Sequence, residues 1–284
     1  MTPHPAARGA AAPASPSPHT TSARRTPVMT APGTDAPSTS EQDEVLYTGV
    51  VVYSTQDPEA SAVLVSGGVI AWIGPTETAE GLHPRARRID ATGCLLTPGF
   101  VDCLPTPDGS AVDDAWREAA ASRGITGAVP GSEGMREGMR VLSPVAEPLP
   151  LKDLSAQGVP LAFGSLGAED ALDPWSWVRA AAHGGDAAQR ISDRAAFLAS
   201  TRAGLRLLDV PHPGALNLGV EATLVVWEPW DFTVHSSDIR TNAWSVDPRS
   251  RTPMLPDLTE GVPRALRTLV RGEIVHDVPG ALGR

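Results

Sequence analysis

Apolar and polar residues alternate in short runs near both ends of the chain and follow helical spacing only between them. The runs "EVLYTGVVVYS" (44–54), "SAVLVSGGVIAWIGP" (61–75) and "ARRIDATGCLLTPGFVD" (86–102) are rich in β-branched residues and broken by turn formers, which predicts strands. Gly67 and Gly68, between "AVLV" and "VIAWIG", predict a two-residue hairpin turn, because glycine adopts positive φ without steric cost. Residues 112–123, "VDDAWREAAASR", switch to helical spacing, with Asp113 and Asp114 early and Arg123 late, as the helix dipole favours. Gly124 stops that helix, and "ITGAVPG" follows as a short strand.

A loop is expected over about 131–148, then a short helix in "PLKDLSAQG" ending at Gly158, then the apolar strand "VPLAFGS". "DPWSWVRAAAH" (173–183) opens with Asp173 as N-cap and Pro174 at the first helical position. "SDRAAFLASTRAGLRLL" (192–208) predicts one longer amphipathic helix capped by Ser192. The tail returns to strands in "ATLVVWEP" and "LRTLVRGEIVHD", where Gly272 fits a tight hairpin. This order predicts an α/β chain with a separate β module, built from both ends and enclosing an inserted α/β region. Residues 1–44, rich in Ala, Pro, Ser and Thr without hydrophobic periodicity, are expected to be a disordered leader. Met29 is a second candidate start.

Composition narrows the function classes. Among 284 residues, 23 Lys and Arg stand against 33 Asp and Glu, a formal net charge of −10, and no long basic block occurs. That argues against nucleic acid and against an anionic membrane surface as partner. No run approaches the ~18 apolar residues of a membrane span. The pair Arg24-Arg25 precedes no apolar segment, so it is not read as an export signal. Cys94 and Cys103 are the only cysteines, too few for a disulfide framework, and are expected as free thiols in the cytoplasm.

Several segments in this order resemble the amidohydrolase superfamily of metal-dependent hydrolases. "TPGFVD" (97–102) matches the first half of the family's PGF-[IV]-D-x-H-x-H strand, which leads from a β segment into a (β/α)8 barrel. "GVPLAFGSL" (158–166), "STRAGLRLL" (200–208) and "GALNLGVEATLVVWEP" (214–229) occupy the places of the late GSD strand, the following helix and the return to the β module. The final "RTLVRGEIVHD" resembles the closing hairpin. The β module is most similar to the composite domain of imidazolonepropionase-like and aminodeoxyfutalosine deaminase-like members. The resemblance spans 45–284 and implies a composite β-sandwich from 45–98 and 209–284, with a truncated barrel remnant over 99–208.

The resemblance also implies zinc, held by the two strand-one histidines and by the GSD aspartate, which serves as general base for the metal-bound water. Imidazole nitrogen and carboxylate oxygen suit Zn²⁺, and the metal brings its water's pKa toward neutrality. Carried over position by position, the histidines fall on Leu104 and Thr106 and the aspartate on Leu166. None of these side chains is a good ligand or a base. A full barrel typically takes ~250 residues, whereas Gly99 and Thr201 enclose about 100, leaving no room for the middle strands and their ligands. Lys152, the only lysine, precedes a helix and reads as a surface charge. His4, His19, His83, His183, His212, His235 and His276 form no H-x-H or H-x-x-x-H pair. Ser132 and Ser165 lack the glycine two positions earlier that a nucleophile elbow requires.

The expectation is therefore a degenerate amidohydrolase-like protein with no catalytic residues, no cofactor, and a role in binding or assembly with a copy of itself or a protein partner. A residual pocket is expected around Asp102, Cys103, Glu133, Ser165, Glu169 and Asp170, at strand C-terminal ends. The competing expectation is a working hydrolase of non-peptide carbon–nitrogen bonds with a rearranged site.

Overall fold

The computed structural model describes residues 44–131, 138–233 and 253–283. The leader, Met29, Ser132, Glu133 and His235 lie outside these residues.

The N-terminal strands β1 (Val45–Thr48), β2 (Val51–Val52), β3 (Ala62–Ser66) and β4 (Val69–Gly74) are followed by α1 (Thr76–Leu82), β5 (Arg87–Asp90) and β6 (Leu95–Pro98). β3 and β4 form the expected hairpin, with Gly67 at φ +58° and Gly68 at φ +78°. β1 pairs antiparallel with β3 and parallel with β5, giving a four-stranded sheet in the order β4-β3-β1-β5. The short helix α1 was not expected. It follows Pro75 and buries only Ala79, so its sequence carries no apolar stripe.

Next come β7 (Phe100–Cys103), α2 (Asp114–Ala121), β8 (Ile125–Val129), β9 (Arg140–Leu142), α3 (Leu151–Ala156) and β10 (Leu161–Phe163). β7 and β8 are parallel partners joined by α2, and β9 and β10 are parallel partners joined by α3. The expected 131–148 loop therefore contains a strand, β9. Its three residues are exposed or half-buried, and its pairing with β10 rather than its own pattern defines it. At the other edge of β10, Gly164 passes so close to β7 that a Cβ would collide with the carbonyl oxygen of Cys103.

Helices α4 (Pro174–His183), α5 (Asp193–Ser200) and α6 (Arg202–Leu207) cover this layer. Asp173 caps α4 by accepting from the Trp175 N–H, and Ser192 caps α5 by accepting from the Ala195 N–H. The single helix expected over 192–208 is in fact two. The Ser200 and Thr201 hydroxyls bond back to the carbonyls of Ala196 and Phe197, and Thr201 leaves helical geometry at φ −126°, ψ −80°. Phe100 and Phe163 enter one apolar cluster with Trp175, Phe197 and Trp227. The alternate residues Val101, Cys103 and Ala162 enter another, against Ala203 and Leu207 of α6. Both faces of the layer are thus packed.

The chain returns through β11 (Leu224–Trp227), β12 (Phe232–Thr233), β13 (Leu255–Pro256), β14 (Ala265–Val270) and β15 (Glu273–Asp277). β11 inserts antiparallel between β6 and β14, giving the five-stranded order β15-β14-β11-β6-β2. N- and C-terminal strands thus share one sheet. Arg271 (φ +54°) and Gly272 (φ +83°) turn the β14–β15 hairpin. Tyr47, Val63 and Ile70 of the first sheet share an apolar cluster with Leu96, Leu224, Val226 and Leu269 of the second.

Candidate functional site

The expected site lies where β7 and β10 end side by side. β7 carries Asp102 and Cys103 into the layer, both fully buried. From β10, Ser165 follows Gly164 and is also buried. Its N–H donates to Asp102 Oδ1 at 2.8 Å and its hydroxyl to Oδ2 at 2.7 Å. Both carboxylate oxygens are thus engaged by one residue 63 positions away. Burial pushes the Asp102 carboxyl up to about 6, and the two Ser165 hydrogen bonds offset part of that rise. Burial also pushes the Cys103 thiol up, with the Asp102 charge adding to it. The Cys103 sulfur faces α6, where a Cβ on Gly204 would sit 3.4 Å from it. Burial likewise pushes Cys94 up to about 11. Neither cysteine has the electropositive, accessible setting of a reactive thiol.

Beyond the joint the chain turns sharply. Leu104 (φ +62°) and Leu166 (φ +52°) both lie in the left-handed region, at the ends of β7 and β10. An L-residue with a branched side chain there costs roughly 1–2 kcal/mol. The loops after the two strands meet, because a Cβ on Gly167 would lie 2.5 Å from the Pro107 ring. The Thr106 hydroxyl donates to the Ser110 carbonyl oxygen at 2.8 Å. Leu166 is 39% exposed.

The structure brings Asp102, Cys103 and Ser165 together. Glu169 and Asp170 are exposed, in a 3₁₀ turn (Glu169–Ala171) tied to α4 by the Trp177 indole N–H and the Ala171 carbonyl. The donor set does not fit the zinc that the family resemblance implies. Asp102 already accepts from Ser165 on both oxygens and has no second ligand beside it, Cys103 faces α6, and the positions the resemblance points to are leucine, threonine and leucine. Among the described residues no group of three His, Cys, Asp or Glu could hold a metal ion. The described histidines are scattered: His183 bonds Asp193 at 2.7 Å, His212 accepts from the Gly214 N–H, His83 caps α1, and His276 lies on β15. Sequence reasoning named Asp102 and Ser165 separately but missed their bond. The bond joins the ends of β7 and β10, 63 positions apart, and no local sequence signal marks it.

No protein-family model matches the chain. It is similar to amidohydrolase-superfamily structures over most of its length. Enamidase aligns over 84% of this chain and 99% of its own, at TM-score 0.51 and 13% identity. An amidohydrolase from Thermotoga maritima aligns over 82% and 100%, at TM-score 0.52 and 13% identity. The chain has the amidohydrolase-superfamily fold. Triazine hydrolase shares that fold too, over 82% of this chain and 95% of its own, at TM-score 0.51 and 12% identity. Identity this low carries the amidohydrolase fold alone. In sequence, imidazolonepropionase from Salinispora arenicola is 50% identical over 42 residues, which is 15% of this chain and 10% of that protein. Imidazolonepropionase from Pseudomonas savastanoi is 48% identical over 46 residues, 16% and 11%. The chain thus spans about a tenth of the curated relatives it matches. No helix among the described residues is long and apolar enough to cross a membrane.

Proposed function

We propose that this chain is an amidohydrolase-fold protein without hydrolytic chemistry, working through binding or assembly. The observation that carries this reading is the joint itself. Among the described residues the one carboxylate at the joint accepts from Ser165 on both oxygens, and the three positions that the resemblance maps onto the family's ligands are Leu104, Thr106 and Leu166. A metal-activated water needs a bound Lewis acid, and one buried carboxylate tied to Ser165 does not make up the three protein ligands of a catalytic zinc site.

The same reading gives the architecture its meaning. On this reading, residues 45–98 and 209–284 are a composite β-sandwich and 99–208 a shortened barrel, with β7 paired to β8 and β10 to β9 as two parallel pairs. Each of these four strands pairs with one other among the described residues, which supports association with a second copy, since unpaired strand edges recruit partners. Two buried, unpaired cysteines support a reducing cytoplasm.

Metal analysis of the purified full chain tests the reading, together with hydrolysis assays on cyclic amides and aminated heterocycles. The expected result is no stoichiometric zinc and no turnover; stoichiometric transition metal would overturn it. The fold shared with enamidase and triazine hydrolase favours the second reading, a working carbon–nitrogen hydrolase, and the same metal analysis decides between the two. Sedimentation that found only a stable monomer would refute self-association.

A further inference from the structure

A cavity of about 320 Å³ opens at the opposite end of β7 from Asp102, where Pro98 and Gly99 lead into the strand. Its apolar wall includes Leu205, Leu208 and Val210. Its polar wall is His212, Glu221 and Arg271, brought together from three separate segments. Glu221 accepts from Arg271 Nε at 3.1 Å and from the Thr223 hydroxyl at 2.8 Å. The Arg271 N–H donates in turn to Thr223 Oγ1 at 3.1 Å. The backbone here is locked as well. Val69 and Glu221 form a β-bridge, the Ala222 N–H donates to the Gly68 carbonyl, and the Gly272 N–H donates to the Ala222 carbonyl. The backbone that carries the pair is therefore fixed before any ligand arrives, while the Arg271 and Glu221 side chains stay about half exposed.

His212 supplies a directed donor. Its Nδ1 accepts from the Gly214 N–H at 3.0 Å, so the neutral ring carries its proton on Nε2. Burial, with the Arg202 charge adding to it, holds the ring below its ordinary pKa against the pull of Glu221. The cavity thus presents a guanidinium and an imidazole N–H beside one carboxylate, over an aliphatic wall. A cation and an anion side by side complement a zwitterion, and neither is left unpaired when it binds. The volume is at the lower end of the range of small-molecule sites, which suits a ligand smaller than a nucleotide.

We infer that this cavity binds a small α-amino acid with an apolar side chain. Its carboxylate goes to Arg271 and His212, its ammonium to Glu221, and its side chain to Leu205, Leu208 and Val210. This site is separate from the Asp102–Ser165 joint and does not depend on whether the chain hydrolyses anything.

Isothermal titration of the full chain with L-leucine, L-leucinamide and 4-methylpentanoate tests it, since the last two each lack one charge. Leucine is expected to bind saturably and each analogue at least about tenfold more weakly. Glu221→Gln should weaken leucine by about tenfold while leaving 4-methylpentanoate unchanged. Arg271→Asn, whose new residue tolerates positive φ, should weaken both carboxylates and leave leucinamide unchanged. Unchanged thermal midpoints confirm that both variants fold. Absence of saturable leucine binding, or equal affinity for all three compounds, would overturn the inference, as would leucine affinity unaffected by both substitutions.

Discussion

Replacing Asp102 with asparagine keeps the shape of the β7–β10 joint and removes its charge. The amide oxygen still accepts from the Ser165 N–H, and its nitrogen faces the Ser165 hydroxyl in place of Oδ2. In the folded protein burial disfavours the charge of the Asp102 carboxyl and pushes it up to about 6, from an ordinary 3.8. The folded state therefore holds the proton more tightly than the unfolded chain. The stability this gives is complete below about pH 3.8 and is lost as pH rises through about 6. At about 1.4 kcal/mol for each pH unit between the two values, the loss is about 3 kcal/mol. Asparagine does not titrate, so the wild-type chain should lose about 2.5 kcal/mol relative to Asp102→Asn between pH 4 and pH 8, the remainder falling below pH 4. Asp173, also raised by burial, and the lowered Asp90 and Asp108 act in both proteins and cancel in the difference. Urea titrations at each pH, followed by the fluorescence of buried Trp175, Trp177 and Trp227, measure it. With slopes of roughly 1–3 kcal/mol per molar, the relative midpoint should move by on the order of 1 M. A wild-type to variant difference that stayed flat from pH 4 to pH 8 would refute the buried, charge-disfavouring environment assigned to Asp102.

Gly164→Ala should lower stability by about 3 kcal/mol or more in thermal melts, because its Cβ meets the rigid Cys103 backbone. Leu166→Gly should raise stability by about 1 kcal/mol, since glycine occupies the left-handed region without the steric cost leucine meets there; an unchanged or lower thermal midpoint would show that the turn is unstrained. Ser192→Ala should cost about 1 kcal/mol through loss of the α5 cap. Cys94 and Cys103 should resist alkylation in the native protein and react only on unfolding, as timed thiol labelling would show.

Where structure follows from neighbouring residues, the sequence was enough. Gly67-Gly68, Asp173-Pro174 and Ser192 each specify a turn or cap through their own backbone or side chain, and each lies where expected. Strand β9 was not legible, because nothing within "RVL" distinguishes it from loop until β10 lies beside it. The break at Thr201 was hidden inside an unbroken amphipathic pattern, since it depends on where two hydroxyls point. The Asp102–Ser165 bond and the cavity at His212, Glu221 and Arg271 join distant segments, and no local pattern encodes such meetings.

The pairing of β6 with β11 also governs the order in which a nascent chain can fold. About 125 residues separate Pro98 from Leu224, yet these two are register partners at the centre of one sheet. At ~5–20 residues per second of synthesis, the N-terminal strands wait on the order of 10 s for the strand that completes their sheet. During that interval β6 has only β2 beside it, and an apolar edge stands open on the ribosome. A mutation that slowed elongation between these strands would lengthen that exposure without altering a single contact of the finished fold.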